Sequence, residues 1–187
     1  MDALEALLGR SSAPKLQEPA PLGDARERIL RAALRAPDHA RLRPWRFLVV
    51  EGESRARLGD ALARAMQARD PQTDDAALAK LRANPLRAPL VLLMAARTVT
   101  HPKVPVLEQQ LSVACAAQCI LLAAHAEGFG GIWRSGAITY SPELHAELGL
   151  GADEQLLGFL YLGTPVVPAP RPTDPDIQDH FRVWSAP

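Results

Sequence analysis

The residues VLEQQLSVACAAQCILLAAHAE, 106–127, decide the fold, because they are apolar or small on nearly every face of a long helix. Such a helix has to be covered all round, so this one is expected to be central and buried. Its most apolar part, Leu111 to Ala124, is interrupted by Gln118 and is shorter than the ~20 residues a bilayer needs. No membrane span is expected from it. Cys115 and Cys119 lie four apart on one helical face and read as small apolar fillers. Their spacing fits neither a zinc site nor a C-x-x-C redox pair.

Upstream, PLVLLMAART (89–98) is a continuous apolar run of buried-strand length, and WRFLVV (45–50) is a β-rich run closed by EGE. Downstream, Gly128, Gly130 and Gly131 stop the long helix before a short strand at Ile132-Trp133. QLLGFLYL (155–162) is the last strand, ended by Gly163-Thr164-Pro165. Further helices are expected after the caps Asp2, Asp24 and Ser141, and over Ser54 to Arg69. The polar stretch from Asp70 to Pro85 reads as a mobile loop plus a short helix. Helices separate the strands without strict βαβ alternation. The expectation is therefore a single α+β domain over 1–187, in three layers, with a mixed β-sheet of about four or five strands around the buried helix. Residues 166–187 form a Pro-rich C-terminal extension, irregular until about Ile177. The segment from Leu111 to Ala124 is more apolar than one small domain can cover, which predicts a dimer.

The chain has 187 residues, 22% charged and 48% hydrophobic, with 21 Lys+Arg against 21 Asp+Glu. That composition is globular, and its zero formal charge lacks the basic surplus of a nucleic-acid binder. The opening MDALEALLGR carries acidic residues where a signal peptide needs basic ones, so a cytoplasmic protein is expected.

Three loop clusters hold the chemistry. Arg10-Ser11-Ser12 offers a guanidinium beside two hydroxyls, the donors a phosphate needs; the plainer reading is a helix C-terminus with a polar turn. Arg35-Ala36-Pro37-Asp38-His39 reads either as a functional loop or as a solvated basic stripe ending in a surface histidine. Gly128 to Gly136 could let a backbone approach a flat ligand, or could simply stop a helix and pack closely. There is no Ser-His-Asp or Cys-His set and no metal spacing, so no side chain is assigned a catalytic role. An absence of side-chain catalysts fits an enzyme whose cofactor carries the reaction.

Taken in order, MDALEALLGRSSAPKL, ILRAALRAPDHARLRPWRFLVVEG, NPLRAPLVLLMAA, HPKVPVLEQQ, GFGGIWRSGA and GFLYLGTP make the chain resemble the nitroreductase family of flavin enzymes, and within it the small YdjA-type branch. The resemblance implies an FMN-dependent NAD(P)H oxidoreductase, homodimeric, with FMN at the subunit interface and nitroaromatic, quinone or similar electron-poor acceptors. It implies that Arg10, Ser11 and Ser12 hold the ribityl phosphate and the pyrimidine edge, and that Arg35 and His39 approach the partner's flavin. Trp133, Arg134 and Ser135 would run along the ring system. Ala123, Ala124, His125, Ala126, Glu127 and Gly128 correspond to a nicotinamide region. The alternative is a flavin-sequestering protein with little turnover, in which the Asp70–Pro85 stretch closes over the ring. Two departures stand out. His39 or Ala40 stands where larger members place Asn, and Arg171 is the one basic residue before Arg182 to serve as their C-terminal phosphate ligand.

Overall fold

The computed structural model describes residues 1–168 and 172–185; Arg171 lies outside them. The chain opens with α1 (Ala3–Gly9), whose Asp2 and Glu5 cap one another's backbone amides. There follow β1 (Leu16–Gln17), α2 (Gly23–Ala33), β2 (Trp45–Glu51), α3 (Ser54–Arg69), α4 (Asp75–Ala83), β3 (Leu90–Arg97), α5 (Val106–Ala126), β4 (Gly130–Arg134), α6 (Pro142–Glu147) and β5 (Glu154–Pro165). Ser141 caps α6 through the Leu144 amide, as its Ser-Pro start predicts. Asp24, expected as a cap, instead sits in the first turn of α2, where its charge still suits the helix dipole.

The twelve-residue β5 is the hub of the sheet. It pairs with β3 from Leu90↔Leu162 to Arg97↔Glu154, with β4 from Gly130↔Gly163 to Arg134↔Phe159, and at its end with β1. β3 in turn pairs with β2. All of these pairings are antiparallel, which corrects the mixed sheet expected from the sequence. The reason lies in the connections. Between β2 and β3 the chain goes back along α3 and forward again along α4, so the next strand enters reversed. A single crossover helix would have returned it parallel.

Helices cover both faces. Leu90, Leu92, Met94 and Ala96 of β3 pack with Leu160 and Leu162 against α5 and α2. Val91 and Leu93 pack with Leu156, Phe159 and Tyr161 against Leu58, Leu62 and Ala65 of α3. A strand buried on both sides has no polar face to alternate, which is why 89–98 reads as one apolar run.

α5 is the central helix, but only one face of it is covered. Gln109, Ser112, Val113, Ala116, Ala117, Ile120, Leu121 and Ala124 are buried. Leu107 and Leu111 are 63% and 53% exposed, Cys115 is exposed and Cys119 half-exposed. The expectation of a helix covered all round, with both cysteines in the core, is therefore corrected. The helix is long and apolar enough to span a bilayer, but its inner face carries the packing of the domain.

Where the sequence predicts a mobile loop plus a short helix after Asp70, the structure has that helix, α4, docked on α3. Asp74 caps it through the Ala77 amide. The contact is close: a Cβ on Gly59 of α3 would lie 2.2 Å from the Arg82 carbonyl oxygen of α4. Alanine at position 59 gains ~1 kcal/mol in helix propensity. A backbone carbonyl cannot rotate away as a side chain can, so overpacking of ~1–3 kcal/mol should outweigh that gain. Gly59→Ala is expected to lower the melting temperature by a few degrees. A calorimetric Tm equal to or above wild type would show that α4 yields freely.

Candidate functional site

Two clefts lie at the two ends of β4. At its N-terminal end, α1 delivers Arg10 and Ser11 beside His125 and Gly128, where α5 stops, and beside Gly130, Gly131 and Pro165. The cleft has a volume of about 290 Å³. The Ala13 amide donates to the Gly131 carbonyl at 3.1 Å and ties the loop after α1 to β4. Arg10 makes no ion pair among the described residues. Ser12 is exposed beside the cleft rather than lining it. Gly131 serves packing, since a Cβ there would stand 2.7 Å from Leu121 and 2.8 Å from Leu162.

At the other end of β4, Trp133, Arg134 and Ser135 line a cavity of about 320 Å³ with Asn84, Thr139, Phe159 and Tyr161. The Arg134 guanidinium stands 5.7 Å from the centre of the Tyr161 ring, and its Nε is buried without a hydrogen-bond partner. The Thr139 hydroxyl is likewise unpartnered, on a residue with no exposed surface. Burial, then the neighbouring Arg87 charge, hold Arg134 below the ordinary guanidinium value. Burial pushes the Tyr161 phenol up, against the pull of Arg134 and Arg87. No carboxylate lines this cavity among the described residues. A pocket with cations, unpartnered donors and no acid suits an anion or the electron-rich edge of a polar ring. The Trp133 indole lies across β5 at Gly158 (φ 146°), where a Cβ would stand 2.4 Å from its Nε1.

Among the described residues β4 is paired as a strand by β5 alone; its other edge takes the Ala13 amide at Gly131 and no further strand. The Gly131 carbonyl points to that edge, and Trp133, two residues on, turns its main chain the same way. The strand's length sets the clefts ~13 Å apart at ~3.3 Å per residue. Asn84, Thr139 and Tyr161 also line this cavity, with the Arg87 charge beside Arg134; Asn84, Arg87 and Tyr161 fall within NPLRAPLVLLMAA and GFLYLGTP, yet nothing in the sequence singled out any of the four as a site residue. Asn84 opens a short turn after α4, in the stretch that reads as a lid.

The region 123–128 does not form one surface. Ala124 is core, and Glu127 is held by Arg28 through two hydrogen bonds of 2.7 and 2.9 Å that lower its carboxyl below the usual range. His125 and Gly128 face the Arg10 cleft. Ala123 and Ala126 face a separate apolar groove with Arg35, Leu7, Cys119 and Leu122.

His39 stands far from Arg10. Its Nδ1 is 2.7 Å from the Glu108 carboxylate at the start of α5, and the Ser112 hydroxyl donates to the Pro37 carbonyl at 2.7 Å. Asp38 does not orient the imidazole; it accepts from the Leu42 and Arg43 amides. Ala40, Arg41 and Arg43 all adopt positive φ, the backbone strain that functional loops often store. Glu108 and His125 lie seventeen residues apart on α5, or ~25 Å at 1.5 Å per residue. Within one protomer the His39 loop cannot reach the Arg10 cleft.

The model of the nitroreductase family matches residues 9–164. The chain is 47% identical to "Putative NAD(P)H nitroreductase YdjA" of Escherichia coli (strain K12), over 90% of this chain and 91% of that protein. It is 38% identical to "Putative NAD(P)H nitroreductase" of Haemophilus influenzae, over 91% and 92%. Among solved structures, the nitroreductase-like family protein from Bacillus cereus superimposes with a TM-score of 0.85 at 20% identity, covering 100% of this chain and 97% of that one. A tyrosine variant of the FMN and NADPH-dependent nitroreductase NfnB from sphigopyxis sp. strain HMH gives 0.75 at 23% identity and full coverage of both chains.

The buried, unpartnered Nε of Arg134 costs stability when no ligand meets it. Arg134→Met keeps the stem against Tyr161 and removes the charge, so it should stabilise the ligand-free protein by on the order of 1 kcal/mol. Thermal unfolding of the ligand-free variant should rise by roughly 2–4 °C. A lower Tm would mean that the cation over Tyr161 outweighs its desolvation.

Proposed function

This chain belongs to the nitroreductase family, and from that membership we propose that it is an FMN-dependent NAD(P)H oxidoreductase, built as a homodimer with the cofactor between the subunits. One observation carries the reading. The Arg10 cleft and the His39 loop lie at opposite ends of α5, so a site that uses both takes one from each protomer. A twofold pair with α5 antiparallel to its mate brings them together twice, and the exposed Leu107, Leu111 and Cys115 are then covered.

The residues fit FMN along β4. Arg10, Ser11 and Ser12 would hold the phosphate at one end, as charge-assisted and hydroxyl donors. Arg134, Asn84 and Ser135 would take the polar edge of the ring at the other, satisfying donors that otherwise stay unpartnered. Arg35 and His39 of the second protomer would complete the enclosure. When bound, the flavin supplies hydride transfer from a nicotinamide to an electron-poor acceptor such as a nitroaromatic or quinone. The protein's own part is electrostatic: fixed cations at the ring edge favour negative charge developing there, in a cavity with no opposing carboxylate. With no single oriented polar set around an acceptor, selectivity among acceptors should be weak. A family of this cofactor chemistry suits the reducing cytoplasm.

Two measurements test this. Arg10→Ala removes a contact typically worth ~1.5–3 kcal/mol, so FMN affinity should fall about tenfold to a hundredfold. Riboflavin, lacking the phosphate, should bind the two proteins alike; equal losses for both ligands would show that Arg10 does not read the phosphate. In anaerobic stopped flow, NADH or NADPH should bleach the bound flavin within seconds, and a quinone should restore its colour. Reduction by dithionite but by neither nicotinamide would replace the reductase with a flavin-sequestering protein.

A further inference from the structure

The register that the split site imposes on α5 reaches beyond the cofactor. When the Glu108 end of one helix meets the His125 end of its antiparallel mate, each step toward one C-terminus is a step toward the other N-terminus. Leu111 then falls opposite the partner's Leu122, and Cys115 falls opposite the partner's Gln118, one residue from the partner's Cys119. Apart from the exposed Gln118, the residues at this crossing are small: Ala114, Cys115 and Cys119 stand between the two leucines on the uncovered side. Small side chains let helices approach to about 8 Å between axes, and a disulfide needs Cβ atoms ~3.8 Å apart. Within one chain the i, i+4 pair points outward along parallel directions, so the partner's thiol is the better aligned one.

We propose that Cys115 of each protomer and the partner's Cys119 form a redox-responsive pair, twice per dimer, which a two-electron thiol oxidant converts to intersubunit disulfides. The proposal rests on the homodimer reading above. In each closure two S–H bonds break, one S–S bond forms, and two protons and two electrons pass to the oxidant; a peroxide is reduced to two molecules of water. Burial, then the neighbouring Cys115, push the Cys119 thiol up, so Cys119 is the weaker nucleophile toward an oxidant. In a reducing cytosol both stay thiols, and the link forms only under oxidative load. Locked subunits cannot separate, so a cofactor enclosed between them is retained through the oxidising episode.

Reduced protein is first sedimented at micromolar concentration, then treated with diamide, which is itself reduced to the hydrazine. Non-reducing electrophoresis and peptide mass spectrometry read the product. Most of the wild type should move to a band of twice the mass that dithiothreitol reverses, with a Cys115–Cys119 peptide link. Cys115→Ser and Cys119→Ser should each lose the band while sedimenting as the reduced wild type does. A cross-link that survives Cys119→Ser, a disulfide within the monomer, or a reduced dimer that never cross-links overturns the proposal and leaves the dimer standing. A reduced monomer overturns both.

Discussion

The length of α5 is the constraint on which the rest depends. Its buried stripe, from Gln109 to Ala124, is the floor for α2, β3 and β5, and its two ends carry the two halves of the candidate site. A helix rises 1.5 Å per residue whatever its sequence, so Glu108 and His125 cannot be brought together by any adjustment of side chains. In our reading a second chain closes that gap. The same helix therefore organises one domain with its inner face and, in our reading, joins two with its outer one.

Charge is distributed to the same end. The chain is neutral overall, but it is not neutral everywhere. Arg28, Arg46 and Arg64 are each closed by a glutamate, at Glu127, Glu154 and Glu147. The exposed pairs of Arg28 and Arg64 contribute little to stability individually, whereas Glu154 is buried and depends on Arg46. Arg10 and Arg134 have no carboxylate partner among the described residues, and they sit at the two clefts. Leaving guanidinium groups uncompensated is unfavourable in itself, and in our reading it readies the site for an anionic ligand.

Elements were legible in the sequence where one local signal sufficed. The span of α3, the Ser141 cap, the Asp2 cap and the apolar run of β3 all follow from spacing and capping chemistry. Strand direction did not follow, because it depends on how many helices intervene and how they pack. The apolar character of α5 was read correctly, as was an apolar excess beyond what its own domain covers; which face stays uncovered, and that Cys115 lies on it, was not legible. Arg10, Ser11 and the Trp133–Ser135 segment were picked out by residue type and resemblance, and they line the two clefts. Asn84, Thr139 and Tyr161 were missed because each is unremarkable in its own neighbourhood and becomes part of a site only when α4, α6 and β5 converge on the end of β4.

The place of β5 in the chain has a consequence for synthesis. β1 pairs with the end of β5, Leu16 with Pro165, and β3 and β4 both wait for the same strand. Sheet closure is thus almost entirely non-local, and such pairings form slowly because long loops have to be ordered first. On the ribosome the helical pairs and the β2–β3 ribbon can assemble early, but the last strand to emerge is the one that sits in the middle. Until then β3 exposes an apolar edge, and the nascent protein is an open half-sheet with a need for protection from its neighbours.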